Sequence, residues 1–173
     1  MGIFSFVTDI SIKNNYGNST MKNNLLITFI IMMTMLTACR TATPLPSVTA
    51  TKDAEFTLAP NQTATIADTG LTVRLIGVAG DERCPSEIEC AASGPVSVSL
   101  SVQMGDGDRA NINLQTFTDN NGRAPDMEFE GIEDRVVYEG YLIRAAGVLP
   151  YPANLTDPIK DSEYRVILIV TQE

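Results

Sequence analysis

The sequence predicts an all-β protein whose folded part is a single antiparallel β-sandwich, immunoglobulin-like in architecture, with a small β-barrel as the alternative. Three observations support this prediction. Segments that alternate apolar and polar residues recur from Glu55 onward, and turn residues separate them at regular intervals. After residue 38, no stretch repeats its apolar residues at the helical period of about 3.6 residues. About seven or eight short strands therefore fill the last 120 or so residues.

The first three predicted strands are short and closely spaced. Residues 55–58 and 62–67 alternate in polarity on either side of a turn at 59–61 (APN). Residues 71–78 then place apolar side chains at every second position until Gly77 interrupts the pattern. This alternation is typical of strands that bury one face.

The clearest predicted strand covers residues 96–104, and residues 110–116 return from it. The sequence GDGD at 105–108 separates the two, and its glycine and aspartate residues tolerate the positive φ angles of a hairpin turn. We expect one face to be apolar, formed by Val96, Val98, Leu100, Val102, Ile112 and Leu114, and the other to carry serine, asparagine and glutamine.

Three further strands complete the predicted sandwich, at 136–138, 141–145 and 164–171. The last of them is apolar at nearly every position. A strand of this kind is buried on both faces, which predicts a central place in its sheet.

The N-terminal part of the chain predicts export and lipidation. An apolar run at 25–35 follows a weakly basic start and leads directly into LTAC at 36–39, the form in which a bacterial lipoprotein signal ends. Its eleven residues are too few for a membrane span, which needs about 20. We therefore predict that residues 1–38 are a lipoprotein signal peptide, with translation starting at Met21, and that Cys39 carries the lipid.

The mature chain would have two parts, a tether at 39–54 and the β-sandwich at 55–173. The tether is rich in threonine, proline and serine and is expected to stay extended without packing. From residue 39 onward the chain has 10 basic and 20 acidic residues, a net charge of −10, which argues against nucleic acid as a partner.

The residue types exclude much chemistry. The chain contains no histidine, which excludes histidine-assisted nucleophiles and histidine-ligated zinc. No motif for a cofactor is present. The sequence therefore predicts a protein that is not an enzyme and has no cofactor.

The three cysteines have two predicted fates. Lipidation uses Cys39, which leaves Cys84 and Cys90 in an oxidising compartment, where a disulfide is expected. The two cysteines stand at the ends of CPSEIEC, whereas redox sites use the motif Cys-x-x-Cys. The bond is therefore interpreted as a structural link.

The loop around this disulfide is the predicted recognition site. Arg83 lies beside the cysteine and between acidic residues, so it can form a bidentate pair with a carboxylate. A rigid, charged loop at one end of a sandwich can recognise a partner, or the arginine can serve only to fix the loop. The candidate residues are Asp81, Arg83, Pro85 and Gly94 in the loop at 81–94, together with Tyr151 in a second segment at 147–155 (GVLPYPANL), where two prolines flank the ring.

An acidic segment at 119–134 is the second candidate. Carboxylates are the ligands that hard cations prefer, although such segments are usually solvated connections. The sequence contains no metal-binding motif there, and the weak candidates for a cation site are Asp119, Asp126, Glu128 and Glu130.

The sequence from Asp81 to Pro85 (DERCP), followed by Cys90 and by Gly94, resembles small bacterial lipoproteins and secreted β domains of uncharacterised function. These carry Asp-Ser-Arg-Cys-Pro, then Cys-x-Trp-Ala-Gly. Here Ala92 and Ser93 replace the tryptophan and alanine. The resemblance implies a lipid-anchored β domain with one loop disulfide, and it implies no activity.

Taken alone, the sequence predicts an extracytoplasmic protein held on a bacterial membrane through the lipid on Cys39. Its expected role is that of a non-enzymatic binding or structural module with a protein partner in the cell envelope. The alternative is a lipoprotein that binds a cation or small ligand through residues 119–134.

Overall fold

A computed structural model describes residues 45–173 of this chain. The predicted signal peptide, the predicted lipidation site at Cys39 and the first residues of the predicted tether lie outside the described residues. No helix within 45–173 has the length and apolar character needed to cross a membrane.

Within residues 45–173, nine β-strands form two separate sheets, which confirms the predicted β-sandwich. The strands are β1 (Val48–Ala50), β2 (Glu55–Leu58), β3 (Thr63–Ile66), β4 (Leu71–Asp81), β5 (Val96–Met104), β6 (Ala110–Thr116), β7 (Arg135–Tyr138), β8 (Tyr141–Leu149) and β9 (Arg165–Gln172). One sheet has five strands in the order β1-β3-β4-β5-β6, and the other has four in the order β2-β9-β8-β7. A single turn of 3-10 helix, Asp161–Glu163, precedes β9.

The core lies between the two sheets, and the period-two alternation accounts for it. In β5 every second side chain is fully buried, while the serines between them are half-buried on the outer face. Each fully buried aliphatic side chain stabilises the fold by about 1.5–3 kcal/mol. The largest core side chains are Leu58, Ile66, Leu71, Leu75, Leu100, Leu114, Ile143 and Leu168.

Two strands continue past the points where the sequence predicts that they end. The β4 strand runs to Asp81, with register shifts on either side of the pair Gly77–Val78, and β8 runs to Leu149, with a shift before Gly147. Glycine in a strand allows a β-bulge, which bends the strand but does not end it. These extensions bring the ends of β4 and β8 to the same end of the sandwich.

The end of the predicted tether at 39–54 is folded. Residues 48–50 form β1, which pairs in parallel with β3, the only parallel pair among the strands of residues 45–173. Ala50 is buried in the core and Val48 packs against it. The threonine- and proline-rich composition hides this strand, because its only signal is two small apolar residues at alternate positions.

The predicted central position of the last strand is confirmed, since β9 pairs with both β2 and β8. Its outer face contributes Ile167, which is buried. The segment around Gly122 lies against this sheet, because Val148 N–H donates to the Gly122 carbonyl at 2.8 Å. The contact is close enough that a Cβ at Gly147 would lie 2.6 Å from that carbonyl oxygen.

Candidate functional site at the disulfide end

Two loops leave the sandwich where β4 and β8 end, one at 82–95 and the other at 150–160. Backbone hydrogen bonds join them: Ser86 N–H donates to the Pro152 carbonyl at 3.0 Å, and Glu87 N–H donates to the Ala153 carbonyl at 2.9 Å. The two loops therefore form one unit, which we call the disulfide end.

The predicted disulfide between Cys84 and Cys90 is confirmed, with the two Cα atoms 5.9 Å apart. The rest of the loop is closed by hydrogen bonds. Cys84 N–H donates to Ser93 Oγ at 3.1 Å, and Gly94 N–H donates to the Glu82 carbonyl at 2.9 Å. A Cβ at Gly94 would lie only 2.6 Å from Glu82 Cβ, so close packing explains the glycine at this position.

Arg83 is buried beneath this loop, with 4% of its surface exposed. It makes the predicted bidentate pair: Nε donates to Asp81 Oδ1 at 2.8 Å and Nη2 donates to Asp81 Oδ2 at 2.6 Å. The same guanidinium donates to the Val148 carbonyl at 2.8 Å and to the Pro150 carbonyl at 2.9 Å. Arg83 therefore joins the end of β4 to the end of β8.

The surroundings of Asp81 and Tyr164 favour a charged carboxylate and a neutral phenol. Burial raises the pKa of Asp81, but hydrogen bonds from Arg83 and its positive charge outweigh burial and hold that pKa below its usual 3.8. Tyr164 Oη donates to Asp81 Oδ2 at 3.1 Å. Burial, followed by the negative charge of Asp81, raises the pKa of Tyr164 to about 12, so the phenol stays neutral at physiological pH.

Tyr151 fixes the loop from the other side. Its hydroxyl donates to the Cys84 carbonyl at 2.8 Å, and its ring centroid lies 5.1 Å from Arg83 Cζ, which is within cation–π distance. Pro85 is buried nearby. The structure therefore brings the candidates Asp81, Arg83 and Tyr151 together as a network that supports the loops.

Two apolar side chains are exposed at the disulfide end, and both lie within the predicted segments 81–94 and 147–155 without being individual candidates. Ile88 is 40% exposed at the tip of the disulfide loop, and Leu155 is 74% exposed in the facing loop. Glu87 and Glu89 flank Ile88 and are exposed. The available signal was weak: each is an isolated apolar residue in a polar loop with no alternating pattern.

A cavity of about 170 Å³ opens at this end of the sandwich. The lining includes Pro85, Pro152, Leu155 and Ile159 from the two loops and Tyr164 from the network. Its size suits one small side chain and not a whole small-molecule ligand, since ligand pockets measure about 300–1,000 Å³.

The acidic segment forms ion pairs with arginine side chains. Within residues 45–173, no group of three or more histidine, cysteine, aspartate or glutamate residues is placed to hold a metal. Asp126 and Glu128 instead face Arg135 at 3.8 and 3.5 Å, and Asp126 lies 3.6 Å from Arg144.

The other two cation candidates do not join this group. Asp119 closes its own turn by accepting hydrogen bonds from the N–H groups of Arg123 and Asn121, at 2.8 and 2.9 Å, and the bond from Arg123 lowers its pKa. Glu130 is exposed.

Comparison with known protein families, with characterised proteins and with solved structures finds no match to this chain. The resemblance to small bacterial lipoproteins and secreted β domains therefore stays a prediction.

Proposed function

We propose that this protein is a lipid-anchored module of the bacterial cell envelope that binds a partner protein through its disulfide end and performs no catalysis. The observation that carries the lipid anchoring is the sequence LTAC at 36–39, placed directly behind an apolar run that is too short to span a membrane.

The structure supports a domain held close to the bilayer. Because β1 begins at Val48, eight residues separate it from Cys39. A fully extended chain spans at most about 3.3–3.6 Å per residue, so the linker reaches no more than about 30 Å. A partner would therefore meet the domain near the membrane surface.

The geometry of the disulfide end suits binding. The Arg83 network, the disulfide and the bonds between the two loops hold this end in one conformation, which reduces the ordering cost of binding. Ile88 and Leu155 present apolar surface at the tips of these loops, and Glu87 and Glu89 add negative charge. The matching partner surface is an apolar patch with basic residues at its edge.

The ionisable groups support a structural role. Within 45–173, the groups whose pKa is shifted lie in ion pairs or hydrogen bonds that favour one charge state, as in Glu55 with Arg123 and Asp81 with Arg83. A general acid or base needs a pKa near the working pH, and these shifts move the pKa values away from it.

Site-specific crosslinking in living cells tests this proposal. We would place a photoreactive amino acid at Ile88 of the full-length protein and at Val137 as the matched control. Val137 is 46% exposed, comparable with the 40% of Ile88, but it lies on β7 next to the hairpin at the opposite end of the sandwich.

The proposal predicts one dominant crosslinked protein from position 88 and none from position 137. Identical patterns from both positions, or no crosslinked protein from position 88, would contradict binding through the disulfide end.

A further inference from the structure

The outer face of the five-stranded sheet carries a row of polar side chains that the proposed function does not use. Strand register sets this row: Thr63 of β3 pairs with Arg74 of β4, and Arg74 pairs with Ser101 of β5. Two residues away along β4, and therefore on the same face of the sheet, Thr72 pairs with Gln103 of β5. Hydroxyl, amide and guanidinium groups therefore lie side by side across three strands.

A cavity of about 330 Å³ opens on this face, within the range of small-molecule sites. Its lining includes Arg74 and Arg109 together with hydroxyl and amide side chains from the row. No aspartate or glutamate is among its lining residues, although acidic residues outnumber basic ones two to one from residue 39 onward.

Both arginines are oriented by neutral groups. Arg74 Nη2 donates to Asn61 Oδ1 at 2.9 Å, and Arg109 Nε donates to Gln103 Oε1 at 3.0 Å. The Gln103 amide is itself fixed, because its Nε2 donates to the Gly107 carbonyl at 2.9 Å. An amide oxygen orients a guanidinium and leaves its positive charge uncompensated.

Most of the other arginines within residues 45–173 are paired with carboxylates. Arg83, Arg123, Arg135 and Arg144 each lie within ion-pair distance of one, whereas Arg165 donates to the backbone carbonyls of Ser162 and Tyr164. Of the carboxylates in residues 45–173, none makes an ion pair with Arg74 or Arg109. Two uncompensated guanidinium groups in one cavity form a local positive site on an acidic protein.

The chemistry of this lining specifies a ligand class. Guanidinium groups recognise carboxylate and phosphate oxygens through paired hydrogen bonds. Hydroxyl and amide side chains such as Ser101, Thr63 and Asn61 can donate to and accept from the hydroxyl groups of a sugar. We propose that the cavity binds an acidic saccharide unit, with Arg74 and Arg109 holding its anionic group.

The position of the cavity adds a second feature. Leu45 and Ser47, in the short linker that follows Cys39, also line it. A saccharide bound there would lie next to the segment that leads to the proposed lipid anchor. Binding itself does not depend on lipidation, so the two proposals can fail separately.

Thermal unfolding of the full-length protein in detergent, titrated with glucuronate, tests this proposal. Ligand that binds only the folded state raises the Tm as its concentration rises. Glucuronate should raise the Tm, while glucose, which lacks the anionic group, and inorganic phosphate, which lacks the sugar, should have much smaller effects. The Arg74→Gln and Arg109→Gln variants should each weaken the apparent affinity about tenfold or more.

Arg165→Gln is the matched control, since it removes the same charge from an exposed position on the four-stranded sheet. It should leave the titration unchanged, and the Tm of each variant without ligand shows that it folds. A shift that is equal with glucose would exclude a role for the arginines, and one that is equal with phosphate would indicate an adventitious anion only. No shift with glucuronate would overturn the proposal.

Discussion

At the residue scale, Arg83 is a buried charge that the fold surrounds with partners. It is one of three buried polar or charged residues among those described, and its guanidinium contacts one carboxylate and two backbone carbonyls. A buried charge is tolerated only when it is paired and its donors are satisfied. The residue therefore acts as a link between β4 and β8 and is not available to a partner.

Replacing Arg83 should be costly. Arg83→Ala leaves Asp81 without its partner and is expected to lower the free energy of unfolding by about 3–5 kcal/mol. Arg83→Lys should recover only part of this loss, because one ammonium cannot reach two carboxylate oxygens and two carbonyls together. Urea unfolding measures both variants.

The control for this experiment is Arg123→Ala, which removes an arginine whose side chain is 43% exposed and whose ion pair with Glu55 lies at the surface. An exposed pair contributes at most about 1 kcal/mol. Equal losses in the Arg83 and Arg123 variants would show that the buried network has no special role.

The pH dependence of stability follows from Asp81. Because its pKa is lowered in the folded state, its contribution is complete above the usual value of 3.8 and is lost as the pH falls through the lowered pKa. Asp81→Asn removes this contribution, so wild type should be the more stable protein at neutral pH, and the difference should narrow toward about pH 3.

Urea midpoints at both pH values measure this effect, and Asp106→Asn, a change in the exposed β5–β6 turn, controls for net charge. A constant difference between wild type and Asp81→Asn across this pH range would show that Asp81 is not held in its charged form by Arg83.

At the scale of elements, the disulfide and the hydrogen bonds of Arg83 and Tyr151 both stabilise the two loops of the disulfide end. The bond closes a ring of seven residues, for which the chain-entropy model gives about 2 kcal/mol. The Arg83 network and the Tyr151 hydroxyl hold the same segment independently of the disulfide. Removing the bond should therefore weaken the fold without abolishing it.

The Cys84→Ser/Cys90→Ser double variant is expected to fold and to lose about 2 kcal/mol in urea unfolding. Wild type in the presence of a reductant is the matched control and should show the same loss. A double variant that does not fold, or one that loses nothing, would contradict this division of work between the disulfide and the hydrogen bonds.

The success of sequence-based prediction also differs between elements. The ends of β5 and β6 are predicted correctly because alternation and a Gly-Asp turn are local signals. The last residues of β4 and β8 are not predicted, because bulges beside glycines interrupt the alternating pattern there. The strand β1 is not predicted, because its segment has the composition of a linker.

The sites show the same contrast between local and distant contacts. The Asp81 partner of Arg83 is two residues away and is foreseeable, but the Val148 carbonyl is 65 residues away. The register that places Arg74 beside Ser101 is likewise a long-range property of the fold. Neither distant contact leaves a pattern in the nearby sequence.

At the scale of the whole molecule, the chain has two surfaces with different chemistry. The disulfide end is apolar at its tips and acidic around them, which suits a protein partner with a basic edge. The outer face of the five-stranded sheet has a positive cavity lined by neutral polar groups, which suits an acidic saccharide. In the proposed lipid-anchored form, the eight residues between Cys39 and β1 would hold both surfaces close to the membrane.

The most direct test of the central claim is mass spectrometry of the protein extracted from the membrane of cells that express it. We predict an N-terminus at Cys39, the loss of residues 1–38, and the added mass of two or more acyl chains on that cysteine. The Cys39→Ala variant should lose this mass and leave the membrane fraction. Membrane protein that keeps residues 1–38, or that has an unmodified Cys39, would contradict lipid anchoring.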